Sequence, residues 1–121
     1  MSDILVVDDD KSISELYKME LSDEGYNVTL AGSGAEALRY LESHRPDLVV
    51  LDIAMPGMDG LDTLHHILAK YGAIPVILNS AYSQFRDNYM TWQANDYVVK
   101  SGDLTELKAR IAKLIEVFSK S

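Results

Sequence analysis

Residues 48–60 read LVVLDIAMPGMDG, and the first five of them decide the fold. Four apolar residues run directly into the carboxylate of Asp52, and Pro56, Gly57 and Gly60 follow within eight positions. A strand with one wet face alternates apolar and polar residues, whereas a continuous apolar run belongs to a strand covered on both faces. The stretch therefore reads as a buried strand that delivers one charged group to a loop. A lone Asp in that place is ordinarily a strand end or a turn residue. Whether Asp52 is alone depends on how the other strands end.

Short β-branched apolar runs alternate with helical patterns along the whole chain. Strands are predicted at 4–7, 27–31, 47–51, 76–78 and 97–99. Between them, apolar residues recur three or four apart, giving each helix one buried stripe. The stripes are Ile13, Leu16, Tyr17 and Leu21, then Ala37, Leu38 and Leu41, then Leu61, Leu64 and Leu68, and finally Leu104, Leu107, Ile111, Leu114 and Ile115. Strict alternation predicts an α/β domain, a doubly wound (βα)5 parallel sheet with right-handed crossovers and helices on both faces. The segment 82–95 (YSQFRDNYMTWQAN) fits one stripe only loosely, so a short or mobile helix with exposed aromatic surface is expected there.

At 121 residues, 47% hydrophobic and 25% charged, the chain has the composition of one soluble globular domain, 1–121, with no output domain expected. The absence of cysteine excludes disulfides, thiolate zinc sites and thiol nucleophiles. His65 and His66 are adjacent on a predicted helix, point to different faces and make a poor metal pair. The N-terminus meets acid after four apolar residues and has no basic flank, so neither a signal peptide nor a membrane span is expected, and a cytoplasmic location is. A formal charge of −8 argues against nucleic acid as a partner, because phosphate-backbone affinity comes from clustered Lys and Arg.

In open α/β sheets, ligands bind beyond the carboxyl ends of the strands. Here those ends carry Asp8, Asp9 and Asp10 after strand one, Asp52 after strand three, Asn79 and Ser80 after strand four, and Lys100 after strand five. Carboxylates gathered in one pocket repel unless a positive group joins them. A hard divalent cation with oxygen ligands answers that need, and Mg²⁺ keeps several waters while using one or two carboxylates. With Lys100 opposite, such a site suits phosphoryl transfer: a carboxylate oxygen attacks phosphorus, and the cations neutralise charge on the phosphoryl oxygens. The Ser80 hydroxyl is placed to bond one of those oxygens. Each residue alone has an ordinary structural use as a cap or a solvated charge; their conjunction at four strand ends does not.

The stretches ILVVDDD, DLVVLDIAMPGMDG, PVILNSA and DYVVKSGDLTEL closely resemble the response regulator receiver domain, the CheY-like module of two-component signalling. The resemblance spans nearly the whole chain. It implies strand order 2-1-3-4-5 and Mg²⁺ (or Mn²⁺) as cofactor, with Asp52 as phosphoacceptor. By the same match Asp9 is a direct metal ligand, Asp8 completes the acidic pocket through water, and the Ala54 carbonyl is a further ligand. Ser80 takes the switch hydroxyl position, Lys100 the phosphoryl-binding lysine and Tyr97 the rotating aromatic. The implied switch moves Ser80 toward the phosphoryl group while Tyr97 turns inward, repacking the face of the fourth helix, fifth strand and fifth helix. Implied partners are a sensor histidine kinase or phosphotransfer protein and a downstream protein on that face, the chain itself being a monomer or weak dimer.

Three departures stand out. Receivers usually read Lys-Pro with a cis bond where this chain has Lys100-Ser101. A cis non-proline bond costs about 2.5–4 kcal/mol, so this one is either trans with an altered loop or held cis by its neighbours. Tyr82 puts a large aromatic at the pocket rim, placed to restrict water, and the stretch from Ser80 to Tyr97 is about two residues short. Rival readings are a pseudo-receiver that only binds partners, and a dinucleotide-binding domain using AGSGAEA (31–37), which matches G-x-G-x-x-A with Asp52 twenty residues past Gly32. The latter leaves Asp8, Asp9 and Lys100 without a use. A haloacid-dehalogenase-like phosphatase wants a second Asp where Ala54 stands.

Overall fold

The computed structural model describes residues 2–53, 60–89 and 92–119. Its elements run β1 (Asp3–Val7), α1 (Lys11–Asp23), β2 (Asn27–Ala31), α2 (Gly34–Leu41), β3 (Leu48–Asp52), α3 (Gly60–Tyr71), β4 (Val76–Ser80), a 3₁₀ helix (Ser83–Asn88), β5 (Asp96–Val99) and α4 (Thr105–Ser119). The strands form one parallel sheet in the order β2-β1-β3-β4-β5. The fold class read from the sequence is the fold observed.

Side chains alternate across the sheet and build a separate core on each face. Leu5, Val7, Val49, Leu51, Val76 and Leu78 pack under α2 and α3. Ile4, Val6, Leu48, Val50, Ile77 and Val98 pack under α1 and α4. Every residue of β3 and β4 is buried, which is why 48–51 and 76–78 read as unbroken apolar runs before the polar strand ends. At about 25 cal/mol per Å² of apolar area removed from water, these two cores supply the main driving force for folding.

Helix starts explain much of the remaining polar sequence. Asp10 caps α1, its Oδ1 accepting the N–H groups of Ser12 and Ile13. Ser33 caps α2 by accepting the Glu36 N–H, and the Glu36 carboxylate accepts the Gly32 N–H. Two backbone donors of AGSGAEA, those of Gly32 and Glu36, are thus taken up in a capping arrangement after an edge strand, which counts against the dinucleotide reading.

The strand bounds shift in detail. Strands β3 and β4 run further than 47–51 and 76–78, so Asp52, Asn79 and Ser80 lie on the strands themselves rather than beyond them. The short helix expected before β5 is a 3₁₀ helix of six residues. Some aromatic surface is exposed there, as expected: Tyr82 remains outside, while Phe85, Tyr89 and Trp92 are half-buried against the core. Met90 lies outside the described residues.

Candidate functional site

Strands β1 and β3 are neighbours with Val7 opposite Leu51, so Asp8 and Asp52 emerge side by side. One carboxylate oxygen from each of Asp8, Asp9 and Asp52 lies within 4.8 Å of the others. Asp8 and Asp52 are buried, 3% and 4% exposed, and Asp9 is exposed. From the end of β5, the Lys100 ammonium reaches Asp8 Oδ2 at 2.7 Å and Asp52 Oδ2 at 3.1 Å. The lysine backbone is anchored too, its N–H donating to the Ser80 carbonyl at 2.7 Å.

The electrostatics follow from burial. Desolvation pushes the Asp8 carboxyl above its ordinary value, although the Lys100 ammonium and the Asp10 N–H on Oδ1 pull the other way. Lys100 also loses water, yet its bond to Asp8 and the charge of Asp52 raise it above the ordinary lysine value. One cation facing three acids leaves net negative charge in a half-enclosed place. A hard divalent cation fits that donor set of three convergent carboxylate oxygens.

Beside the cluster is a cleft of about 340 Å³ lined by Asp9, Asp10, Asp52, Ala81, Tyr82 and Lys100. Asp52 opens onto it and Asp8 does not. Tyr82 lines the cleft, 51% exposed and edge-on to Phe85. Ser80 is fully buried, its Oγ accepting the Tyr82 N–H at 3.1 Å. Tyr97, 2% exposed, already points inward and donates its hydroxyl to the Tyr82 carbonyl. The inward position implied for the phosphorylated state is therefore the position seen here, and both flanking hydroxyls converge on the backbone of one residue.

Of the other expected participants, Ser101 is exposed and accepts the Asp103 N–H on its Oγ, opening the turn into α4. No described peptide bond is cis, so the Lys100–Ser101 bond is trans. Ala54, expected as a carbonyl ligand, lies outside the described residues.

Sequence reasoning missed two features. Gly60 opens α3 against the chain that leaves Asp52; a Cβ there would overlap the Ile53 backbone and the Asp52 carbonyl. Buried beneath the cluster, Tyr17 donates its hydroxyl to Asn79 Oδ1 at 2.8 Å. Asn79 was visible as a polar residue in the apolar run VILNSA, but its partner is 62 positions away.

Residues 4–112 match the family model of the response regulator receiver domain. Among curated proteins, the probable transcriptional regulatory protein TcrX of Mycobacterium tuberculosis is 38% identical over 114 residues, covering 93% of this chain and 49% of the relative. Among solved structures, the response regulator protein TrrA of Thermotoga maritima in complex with Mg²⁺-BeF superimposes with a TM-score of 0.89 at 46% identity, over 94% of this chain and 99% of that one. TrrA has also been solved in complex with the histidine kinase ThkA, with a TM-score of 0.87 at 46% identity over 94% of this chain and 98% of the other. The chain spans about half the length of the curated relatives it matches. No described helix is long and apolar enough to cross a membrane.

Proposed function

The chain belongs to the response regulator receiver family of two-component systems, and on that premise we propose that Asp52 accepts a phosphoryl group from the phosphohistidine of a sensor histidine kinase or phosphotransfer protein. The observation that carries this assignment is Lys100, whose ammonium is shared between Asp8 and Asp52 while only Asp52 of that pair opens onto the cleft. Asp8 has one oxygen on Lys100 and the other on the Asp10 N–H. It is the supporting acid, and Asp52 the nucleophile.

In the reaction, an Asp52 oxygen attacks phosphorus as the phosphorus–nitrogen bond of the phosphohistidine breaks. The departing imidazole takes a proton from solvent, and an acyl phosphate remains on Asp52. Lys100 binds a phosphoryl oxygen as charge develops, which is electrostatic stabilisation by a group already held in place. Asp9 and Asp52, with Asp8 through water and the Ala54 carbonyl by resemblance, are the residues that would hold Mg²⁺ or Mn²⁺. The ion, when bound, neutralises phosphoryl charge. Hydrolysis reverses the capture: water attacks phosphorus, the aspartyl–phosphorus bond breaks, and inorganic phosphate leaves. Tyr82 at the rim limits the approach of that water.

The added group brings roughly −1.5 to −2 charges. Ser80 turns toward it and releases the Tyr82 N–H, and the Tyr97 contact to the Tyr82 carbonyl then sets the position of the segment before β5. The face made by that segment, β5 and α4 passes the signal to a protein partner or along a phosphorelay, in the cytoplasm and without nucleic acid contact. The chain acts there as a monomer or weak dimer. The test is beryllofluoride with Mg²⁺, followed by NMR. Shifts at Asp52, Ser80 and Tyr97 in the wild type, absent in Asp52→Asn, are expected. An equal response in the variant removes Asp52 as acceptor, and no response in either favours a pseudo-receiver.

A further inference from the structure

Within the largely apolar core between the sheet, α1 and α4, Tyr17 meets Asn79, and both residues are 2% exposed. A buried amide is costly unless both of its ends are bonded. Here Oδ1 accepts the Tyr17 hydroxyl at 2.8 Å and Nδ2 donates to the Val98 carbonyl at 3.0 Å. Two apolar side chains of similar shape would fill the same space without those demands, and such exchanges are often close to neutral in stability. What the polar pair adds is a fixed chain of bonds from α1 through β4 to β5.

That chain ends where the chemistry begins. Asn79 stands opposite Asp52 on one side and Val98 on the other. Lys100 is two residues beyond Val98, and its own N–H is held by the Ser80 carbonyl. Burial raises the Tyr17 phenol above its ordinary value, so it remains a donor at neutral pH, and Lys100, Asp8 and Asp52 are all close enough to act on it. Next to the pair a cleft of about 380 Å³, lined in part by Tyr17, Asn79, Val98, Ser101 and Leu104, leaves the end of β5 with open space on that face. Besides the β4–β5 pairing, the Tyr17–Asn79–Val98 bonds tie the strand end on that side.

We propose that Tyr17 and Asn79 are positioning residues for the phosphoryl-transfer site, fixing the end of β5 so that the Lys100 ammonium is shared between Asp8 and Asp52. This rests on the receiver reading above for its effect on phosphorylation, though not for its effect on Lys100. Removing the bonds lets the lysine shift toward one carboxylate and misaligns it with the incoming phosphoryl group. The expected loss is roughly tenfold in rate, below the hundredfold that a displacement of about 1 Å can cause.

The experiment compares wild type, Tyr17→Phe and the double variant Tyr17→Phe/Asn79→Leu. It measures thermal stability, the rate of phosphorylation by acetyl phosphate with Mg²⁺, and the side-chain NMR signals of Lys100 in the unphosphorylated chain, assigned by their loss in Lys100→Arg. Tyr17→Phe strands the Asn79 oxygen and should lose both stability and rate. The double variant, which removes the stranded oxygen but takes the amide donor from the Val98 carbonyl, should recover part of the stability yet stay about tenfold slow, with displaced Lys100 signals. Recovery of the wild-type rate in the double variant overturns the proposal, and so do unmoved Lys100 signals. If the wild type itself takes up no phosphoryl group, the receiver reading fails instead, and the Lys100 signals alone decide whether the pair positions the lysine.

Discussion

Lys100 holds two buried acids together, so its removal should expose what they cost each other. Lys100→Met leaves Asp8 and Asp52 facing one another without a cation, and breaking a buried pair from one side typically costs about 3–5 kcal/mol. The pH sign follows from Asp8. Its folded value is raised above the ordinary 3.8, so the stability tied to its protonated form is full below 3.8 and is lost as pH rises through the folded value. Removing Lys100, which pulls Asp8 down, raises that folded value further and widens the window of loss. Denaturant unfolding should therefore find the variant close to wild type near pH 4 and fully destabilised near neutrality. At this scale the charged strand ends were legible, because a carboxylate or ammonium directly after an apolar run has few purely structural explanations. Tyr17 and Asn79 were not, because each looks like an ordinary core or strand-end residue until its distant partner is known.

The elements around Asp52 are tied by contacts that single substitutions can cut. Gly60→Ala presses a methyl into the Ile53 backbone and the Asp52 carbonyl, so α3 or the acid itself must shift. A loss of about 1–3 kcal/mol, the usual range for overpacking, is expected in thermal unfolding, together with weaker beryllofluoride binding. Tyr97→Phe cuts the bond to the Tyr82 carbonyl. That should cost about 1 kcal/mol and speed hydrogen exchange across the 3₁₀ helix while β4 stays protected. Strands and helices were legible where burial on both faces or a 3.6-residue stripe wrote them into the pattern. The 3₁₀ helix was legible as a short helix but not in its type, since its aromatics pack against the core without a clean helical stripe, and the trans bond at Ser101 could be settled only by the structure.

Across the whole molecule, two apolar cores clamp a sheet whose carboxyl end gathers excess negative charge. A cation that binds only the folded site must then stabilise the entire domain by mass action, by about 2.7 kcal/mol at one hundred times its Kd. The melting temperature should climb with Mg²⁺ concentration, fall back on chelation, and respond little in Asp9→Asn. No change with Mg²⁺ in the wild type would remove the metal from the site. The most direct measurement concerns Asp52 itself: intact mass after incubation with acetyl phosphate and Mg²⁺. If Asp52 is the acceptor, the wild type gains one phosphoryl group, chelation prevents the gain, and Asp52→Asn gains none. An equal gain in Asp52→Asn, or none in the wild type, contradicts the assignment.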